Sequence, residues 1–530
     1  MFVFKESNPK GLFANWKVGP YQFILLVSFI NVLVFHKPLF DFTSTNLNIW
    51  SFNGLQTSIT LILVPFIFSA VFLYFAMMIH RHVAKTLFIL LIITNSVFLY
   101  YIETYNIILD KSMMGNIFNT DREEVANLIT YKVFVYLFCY GCIPSFLLFN
   151  LKCKPVKRIK LTIQIIGTFF GVLLWIFLTY KTTLWIDKNG KRLGGLVLPW
   201  SYVVNGLTVQ IPKYLTPPEL ILLPEATIKA TDKTVVVLVF GETARAKNFE
   251  FYGYERDTNP KLKEVGAIAL KNAKACTTYT TGSLKCMMSH VKPSSKNYEP
   301  LPNYMVRNSV EVWWRSNNWG EKNIEVNDYK KAKELRENCK SDGCFTDEVL
   351  MRGVIEGIQN SSKDQILVIL HQSGSHGPTY YKKYPKFFEK YTPVCKSVEL
   401  NTCSEQSLIN AYDNTIYYTD FVLTSVIEQL KQLNDYSTVM IYASDHGESL
   451  GESGLYLHGT PKQFAPDVQI DIPFIVWMSD TFKASHQITE AQLLEKESHT
   501  HQNIFHSVMG AFKMQSDIYQ PEYDIFNQKQ

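Results

Sequence analysis

The sequence predicts a protein in two parts: an N-terminal domain of five transmembrane helices, followed by a C-terminal α/β domain. Apolar residues make up 47% of the 530 residues and concentrate in the first third, in stretches that suit bilayer crossings of about 20 residues each. Beyond them, three apolar, β-branched runs each end in metal-binding side chains. Thr234 to Gly241 (TVVVLVFG) releases Glu242. Gln365 to Leu370 (QILVIL) releases His371, with His376 further on, and Ser437 to Ser444 (STVMIYAS) releases Asp445 and His446. Such runs read as strands buried on both faces, and open α/β sheets place their sites outside the carboxyl ends of their strands.

The expected spans are Tyr21 to Phe35, Leu55 to Met78, Ala84 to Ile102, Ala126 to Asn150 and Leu161 to Tyr180. The first is the shortest, and no small-x-small cleavage site follows it, so it is not a cleavable signal. Basic residues set the orientation. Arg81 and Lys85 follow the second span, and Lys152, Lys154, Lys157, Arg158 and Lys160 follow the fourth. Both connections therefore lie inside, and an odd number of crossings puts everything after Tyr180 outside. The domains expected are residues 1–180 in the membrane, a bridging segment 181–233 without strong period, and an external catalytic domain 234–530.

The formal charge of +5 is small for this length and gives no case for nucleic acid. Of nine cysteines, Cys139, Cys142 and Cys153 lie in or beside the apolar third, and the C-x-x-C pair Cys139 and Cys142 reads as small buried hydrophobes. The other six form close pairs, Cys276 with Cys286, Cys339 with Cys344, and Cys395 with Cys403. Close pairs in a polar domain favour disulfides in an oxidising compartment. A zinc-thiolate site is the alternative, and none of these pairs has its C-x-x-C spacing.

Two stretches invite chemistry. Thr277, Thr278, Thr280, Thr281 and Ser283 crowd a turn before a helical pattern. A hydroxyl at a helix N-terminus faces free N–H groups that stabilise an alkoxide or a phosphate, although simple N-capping gives the same pattern. Glu242, Asp445 and His446 are ligands of the kind zinc takes, and a threonine oxygen in the fourth position would be activated. His376 and His458 lie in Gly-flanked loops near the same strand ends. In the outer connection, Asn116, Thr120 and Glu124 recur at spacing four, which on a helix lines one face. Such a face either holds a polar headgroup or is an ordinary solvated surface.

The motifs GETAR, CTTYTTGSLKC, HQSGSHGPTYYKKYP, LINAYDNT and SDHGESLGESGLYLHGTP together resemble the lipid A phosphoethanolamine transferases, which include the mobile colistin-resistance enzymes. These belong to the alkaline phosphatase superfamily. The resemblance implies a sulfatase-like external domain after five spans. It implies Thr280 as nucleophile, with Glu242, Asp445, His446 and the Thr280 oxygen on one Zn2+. His376 and His458 would take the donor phosphate or a second zinc. Asn116, Thr120, Glu124 and Lys322 match headgroup contacts, and the three cysteine pairs match family disulfides. Trp319 departs from the pattern, standing where the relatives usually carry a small or polar residue.

The expected reaction transfers phosphoethanolamine from phosphatidylethanolamine to a lipid A phosphate through a covalent phosphoethanolamine-threonine intermediate. The enzyme would act as a monomer in a Gram-negative inner membrane with its catalytic domain in the periplasm. The alternative is transfer of phosphoethanolamine or phosphoglycerol to another envelope acceptor. Sulfatase chemistry is disfavoured, because neither Cys276 nor Cys286 begins the C-x-P-x-R sequence that formylglycine formation needs. A zinc-stabilised binding module without turnover is the reading from a different class.

Overall fold

The computed structural model describes residues 17–120, 122–215, 219–292, 296–321 and 324–527. The chain divides into two compact units, residues 1–114 with 129–211, and residues 115–128 with 212–530.

Among the described residues of the first unit, four helices are long and apolar enough to cross a membrane: Phe52–Ile79, Arg81–Tyr105, Tyr131–Asn150 and Arg158–Leu178. The expected first span is a bent pair, Pro20–Phe35 and Lys37–Asn46, with a 60° break; counted as one span, it gives the fifth. Pro38 explains the break, since it lacks an N–H and crowds the preceding turn. At the bend, His36 Nδ1 donates to the Asn31 carbonyl at 3.2 Å. The fourth span starts at Tyr131, because residues before it form a separate helix, Arg122–Leu128.

The expectation that Cys139 and Cys142 are buried is corrected: both are exposed, on a π-helical turn, Leu137–Cys142. A lipid-facing surface tolerates a small apolar thiol as well as a core does, so an apolar run cannot distinguish the two. The stretch after residue 180, without period in the sequence, contains the helices Tyr180–Lys188, Gly190–Leu196 and Trp200–Leu215.

The second unit is built on a seven-stranded sheet. In chain order its strands are β1 (Thr234–Gly241), β2 (Ile268–Ala269), β3 (Glu311–Ser316), β4 (Asp328–Lys331), β5 (Gln365–His371), β6 (Ser437–Ser444) and β7 (Phe474–Met478). The spatial order is β4-β3-β5-β1-β6-β7-β2. The pairs from β4 through β6 are parallel, and β7 is antiparallel to both of its neighbours. Every residue of β1, β5 and β6 is buried, as their unbroken apolar runs require. The two faces pack into separate cores, one holding Val236, Leu238 and Phe240, the other Val235, Val237 and Val239. The helix Glu405–Leu430 supplies Leu408, Tyr412 and Leu423 to the second core.

Register positions the site. Thr234 of β1 lies beside Gln365 of β5 and Ser437 of β6, so the strands reach the same edge together: Phe240 opposite His371, and Gly241 opposite Ser444. The next residues, Glu242, Gln372 and Asp445, therefore emerge side by side.

Candidate metal centre and nucleophile

Glu242, Asp445 and His446 meet at this edge, with ligand atoms all within 4.8 Å of one another and all three residues buried. The chain achieves this by an uncommon backbone turn. Thr243 has φ 58, a left-handed conformation that a β-branched residue adopts only under constraint. The constraint is visible: Thr243 N donates to Asp445 Oδ1 at 2.9 Å, and Tyr412 OH donates to the Thr243 carbonyl at 2.7 Å. The same residue's hydroxyl donates to Glu242 Oε1 at 2.5 Å. On the other side, Gly374 with φ +46 passes so close to Glu242 that a Cβ there would sit 2.6 Å from the Glu242 carbonyl oxygen. Only glycine fits.

Thr280 opens the helix Thr280–Met287, and the Cys276–Cys286 disulfide ties this helix to the turn before it. The Thr280 hydroxyl donates to Glu242 Oε1 at 3.3 Å and lies 3.5 Å from His446 Nε2. His446 Nδ1 is 2.9 Å from the Gly447 carbonyl, which can only accept. Nδ1 thus holds the proton, and Nε2 presents its lone pair to the cluster. Nε2 is 3.2 Å from Asp445 Oδ2 and 3.7 Å from Glu242 Oε1.

The residues fit a divalent cation. Asp445 Oδ2 is buried and makes no hydrogen bond, an arrangement costly for a carboxylate oxygen unless something positive sits beside it. Burial pushes the Asp445 carboxyl up to about 6 and the His446 imidazole down to about 3. It raises Glu242 as well, helped by repulsion from Asp445. Two carboxylates and a neutral imidazole with its lone pair inward form a set that a metal ion would neutralise.

Two further histidines adjoin the cluster. His458 lies with its ring centroid 4.3 Å from that of His446, and His376 stands 5.4 Å from His458. Glu448, fully buried, accepts from His458 Nδ1 at 3.3 Å. Burial, then the neighbouring Lys383 charge, holds His376 well below the usual imidazole range. The structure therefore brings Thr280, Glu242, Asp445, His446, His376 and His458 to one place.

The remaining expected residues stand differently. Asn116 lies in the helix Lys111–Asn119, which ends before Thr120. The Thr120 backbone N–H and its hydroxyl both donate to the Asn116 carbonyl, at 2.8 and 2.9 Å, so Asn116 and Thr120 stand one helical turn apart. The Glu124 side chain and Lys322 lie outside the described residues. Trp319 lines a cavity of about 510 Å³ together with His376, Thr379 and Asn127. The other two expected disulfides are formed, Cys339–Cys344 and Cys395–Cys403.

Asn318, Arg245 and Glu321 also build the site, although the sequence assigned them no role. Asn318 Nδ2 donates to Glu242 Oε2 at 2.6 Å and to the Gln372 carbonyl at 2.8 Å. Arg245 Nη1 pairs with Glu452 Oε1 at 2.6 Å and donates to the Glu448 carbonyl at 3.1 Å, locking the SDHGES loop. His371 faces Glu321, with Nδ1 3.3 Å from Oε2. Burial alone would lower His371, but the bond to Glu321 outweighs it and raises the imidazole; in the pair, Glu321 falls to about 2. Glu448 was legible as the acid of SDHGES; Asn318 had no signal beyond its place in NNWGEK.

Comparison with known proteins gives consistent matches. The Sulfatase family model covers residues 234–514, and the model described as phosphoethanolamine transferase EptA/EptB covers residues 67–214. The chain is 38% identical over 519 residues to phosphoethanolamine transferase EptA of Helicobacter pylori, spanning 95% of this chain and 96% of the relative. It is 32% identical over 470 residues to phosphatidylethanolamine transferase Mcr-1 of Escherichia coli, spanning 83% and 85%. The solved integral membrane lipooligosaccharide phosphoethanolamine transferase A of Neisseria meningitidis superposes with a TM-score of 0.87 at 28% identity, spanning 96% of this chain and 98% of that one.

Proposed function

Because the chain belongs to the phosphoethanolamine transferase family, we propose that it moves phosphoethanolamine from phosphatidylethanolamine to a phosphate of lipid A, by way of Thr280. The observation that carries this reading is the convergence of the Thr280 hydroxyl with Glu242, Asp445 and His446 at one buried sheet edge.

In the first half-reaction the Thr280 oxygen attacks the donor phosphorus. The new O–P bond forms as the bond to diacylglycerol breaks, and diacylglycerol leaves with a proton. The Thr280 hydroxyl is oriented beforehand by Glu242 Oε1, and Glu242 by Asn318 and Thr243. His376 and His458 stand beside Thr280's neighbour His446, where they meet the phosphoryl oxygens or a second metal. Glu242, Asp445, His446 and the Thr280 oxygen would hold a zinc ion, which would supply Lewis acidity and lower the hydroxyl's pKa. In the second half-reaction a lipid A phosphate oxygen attacks the phosphoethanolamine held on Thr280.

The apolar unit keeps the enzyme in the bilayer that holds both lipids, with the catalytic unit on the periplasmic side of the inner membrane. Adding an ethanolammonium group lowers the anionic charge of the surface, which weakens binding of cationic peptides such as polymyxins. Mass spectrometry of lipid A from cells carrying the protein tests this. The expected result is one added phosphoethanolamine on a phosphate, lost in Thr280→Ala; transfer surviving in that variant would refute Thr280 as nucleophile.

A further inference from the structure

The turn that delivers Thr280 and the strand end that delivers Asp445 come from distant parts of the chain, and one buried histidine with no part in the reaction above touches both. His499 and Thr500 pair in parallel with Ala273 and Lys274, so the two segments advance together and His501 arrives beside Cys276. The helix that follows, Gln502–Ala511, buries Phe505, Val508 and Met509 in the core that holds Leu238 and Phe240, which fixes where the segment starts. The His501 side chain is buried.

Both ring nitrogens of His501 are taken by the backbone. Nδ1 accepts from Cys276 N at 3.3 Å, and Nε2 donates to the Ser444 carbonyl at 2.9 Å. An amide N–H only donates and a carbonyl only accepts, so the ring is the neutral tautomer with its proton on Nε2. Cys276 opens the turn that leads to Thr280. Ser444 ends β6 directly before Asp445, and its hydroxyl accepts from Ala244 N at 2.8 Å and donates to the His446 carbonyl at 2.9 Å. One side chain thus joins the nucleophile turn to the residue that links the segments carrying Glu242, Asp445 and His446.

Other contacts of the turn lead elsewhere. The Cys276–Cys286 disulfide ties it to its own helix. Thr278 Oγ1 donates to the Thr460 carbonyl at 2.6 Å, Gly459 N donates to the Thr278 carbonyl at 2.8 Å, and Lys462 Nζ donates to the Ala275 and Cys276 carbonyls at 2.8 and 3.0 Å. These fasten the turn to the loop of His458. We propose that His501 is a positioning residue for the transfer: by bonding Cys276 N and the Ser444 carbonyl at once, it sets where the Thr280 hydroxyl stands relative to Glu242, Asp445 and His446. This rests on the transfer through Thr280 proposed above. A nucleophile displaced by about 1 Å can lose about a hundredfold in rate.

The test compares His501→Gln and His501→Asn in the full-length protein, in zinc-supplemented mixed micelles of phosphatidylethanolamine and lipid A. The glutamine amide nitrogen takes the place of Nε2 and keeps the bond to Ser444; the asparagine carbonyl oxygen takes the place of Nδ1 and keeps the bond from Cys276. Neither keeps both. Each variant lowers kcat about tenfold or more, the rate equivalent of one lost hydrogen bond, and changes the donor KM by less than about twofold, as for a group that meets no substrate. Hydrogen exchange reads the tie apart from turnover: in both variants the amides of residues 276–281 exchange about tenfold faster, while those of β1 and β6 keep their protection. Wild-type kcat in either variant overturns the proposal, as does unchanged exchange at 276–281. Protection lost throughout β1 and β6 overturns it as well, since His501 would then hold the fold and not the geometry of the site. Faster exchange confined to the turn, with transfer that survives Thr280→Ala, supports the tie and refutes only the transfer through Thr280.

Discussion

The two units invert each other's surfaces. Among the described residues the first unit exposes many large apolar side chains, such as Leu33, Phe68, Phe75 and Phe170, whereas the second, more than half again as long, exposes only ten, Ile117, Phe118, Val125, Leu220, Ile221, Leu222, Phe345, Phe387, Phe464 and Leu494. Inside, the contrast runs the other way. The first unit buries neutral polar groups bonded to each other: Asn95 Nδ2 donates to Asn31 Oδ1 at 2.9 Å, Tyr202 OH donates to Asn95 Oδ1 at 3.0 Å, and Asn31 Nδ2 donates to the Leu198 carbonyl at 3.0 Å. The second unit buries charge, with Glu242, Asp445, Glu448 and Asp413 at most 1% exposed. Lipid offers no hydrophobic gain for burial, so polar contacts hold helices together there. Water drives apolar burial in the second unit so strongly that a few carboxylates can be kept dry for chemistry.

The largest expected effect breaks the charged interior. Asp445→Asn removes one charged ligand, and both bound metal and transfer should fall, the latter by about a thousandfold or more. Elemental analysis alongside the transfer assay checks this; full metal content with normal transfer would remove Asp445 from the centre.

Next comes the Glu321 and His371 pair. Glu321→Gln leaves a buried imidazolium without its partner and should cost about 3 to 5 kcal/mol. The pH dependence has a definite sign. The Glu321 share is present above its usual 4.5 and lost as pH falls toward about 2, whereas the His371 share is present below its usual 6.5 and lost as pH rises through the raised value. Melting curves of parent and variant should therefore lie farthest apart between pH 4.5 and 6.5. Curves that diverge most above pH 9 would contradict the pair.

Reduction of the small disulfide loops is expected to cost the second unit about 2 to 4 kcal/mol for each. A melting temperature unmoved after confirmed reduction would show that the packing alone suffices. In the first unit, Asn95→Leu should cost about 0.6 to 2 kcal/mol, because membrane polar contacts are individually modest. Unfolding in detergent or bicelles measures it. A loss as large as that of Glu321→Gln would erase the contrast between the two interiors. The smallest effect belongs to Phe170→Leu on the apolar surface, within about 0.5 kcal/mol.

Much of this architecture was legible in the chain. The apolar runs gave the four long helices and the three central strands, and close cysteine spacing gave the three disulfides. Local signals misled where one pattern serves two environments. Cys139 and Cys142 sit in an apolar run that lipid accommodates as readily as a core. The helices after residue 180 escaped because Gly and Pro punctuation outweighed a weak period.

What the sequence determined by itself was which groups stand at strand ends: Glu242, His371 and Asp445 each follow a run too apolar to lie anywhere but in the middle of a sheet. What only the tertiary structure decided was that these ends meet. Parallel register sets Gly241 beside Ser444, the turn at Thr243 bends the acid toward Asp445, and Thr280 arrives from a separate helix. Contacts between residues 38 and 203 positions apart carry no local pattern, because their spacing is fixed by how the sheet pairs and not by any period along the chain.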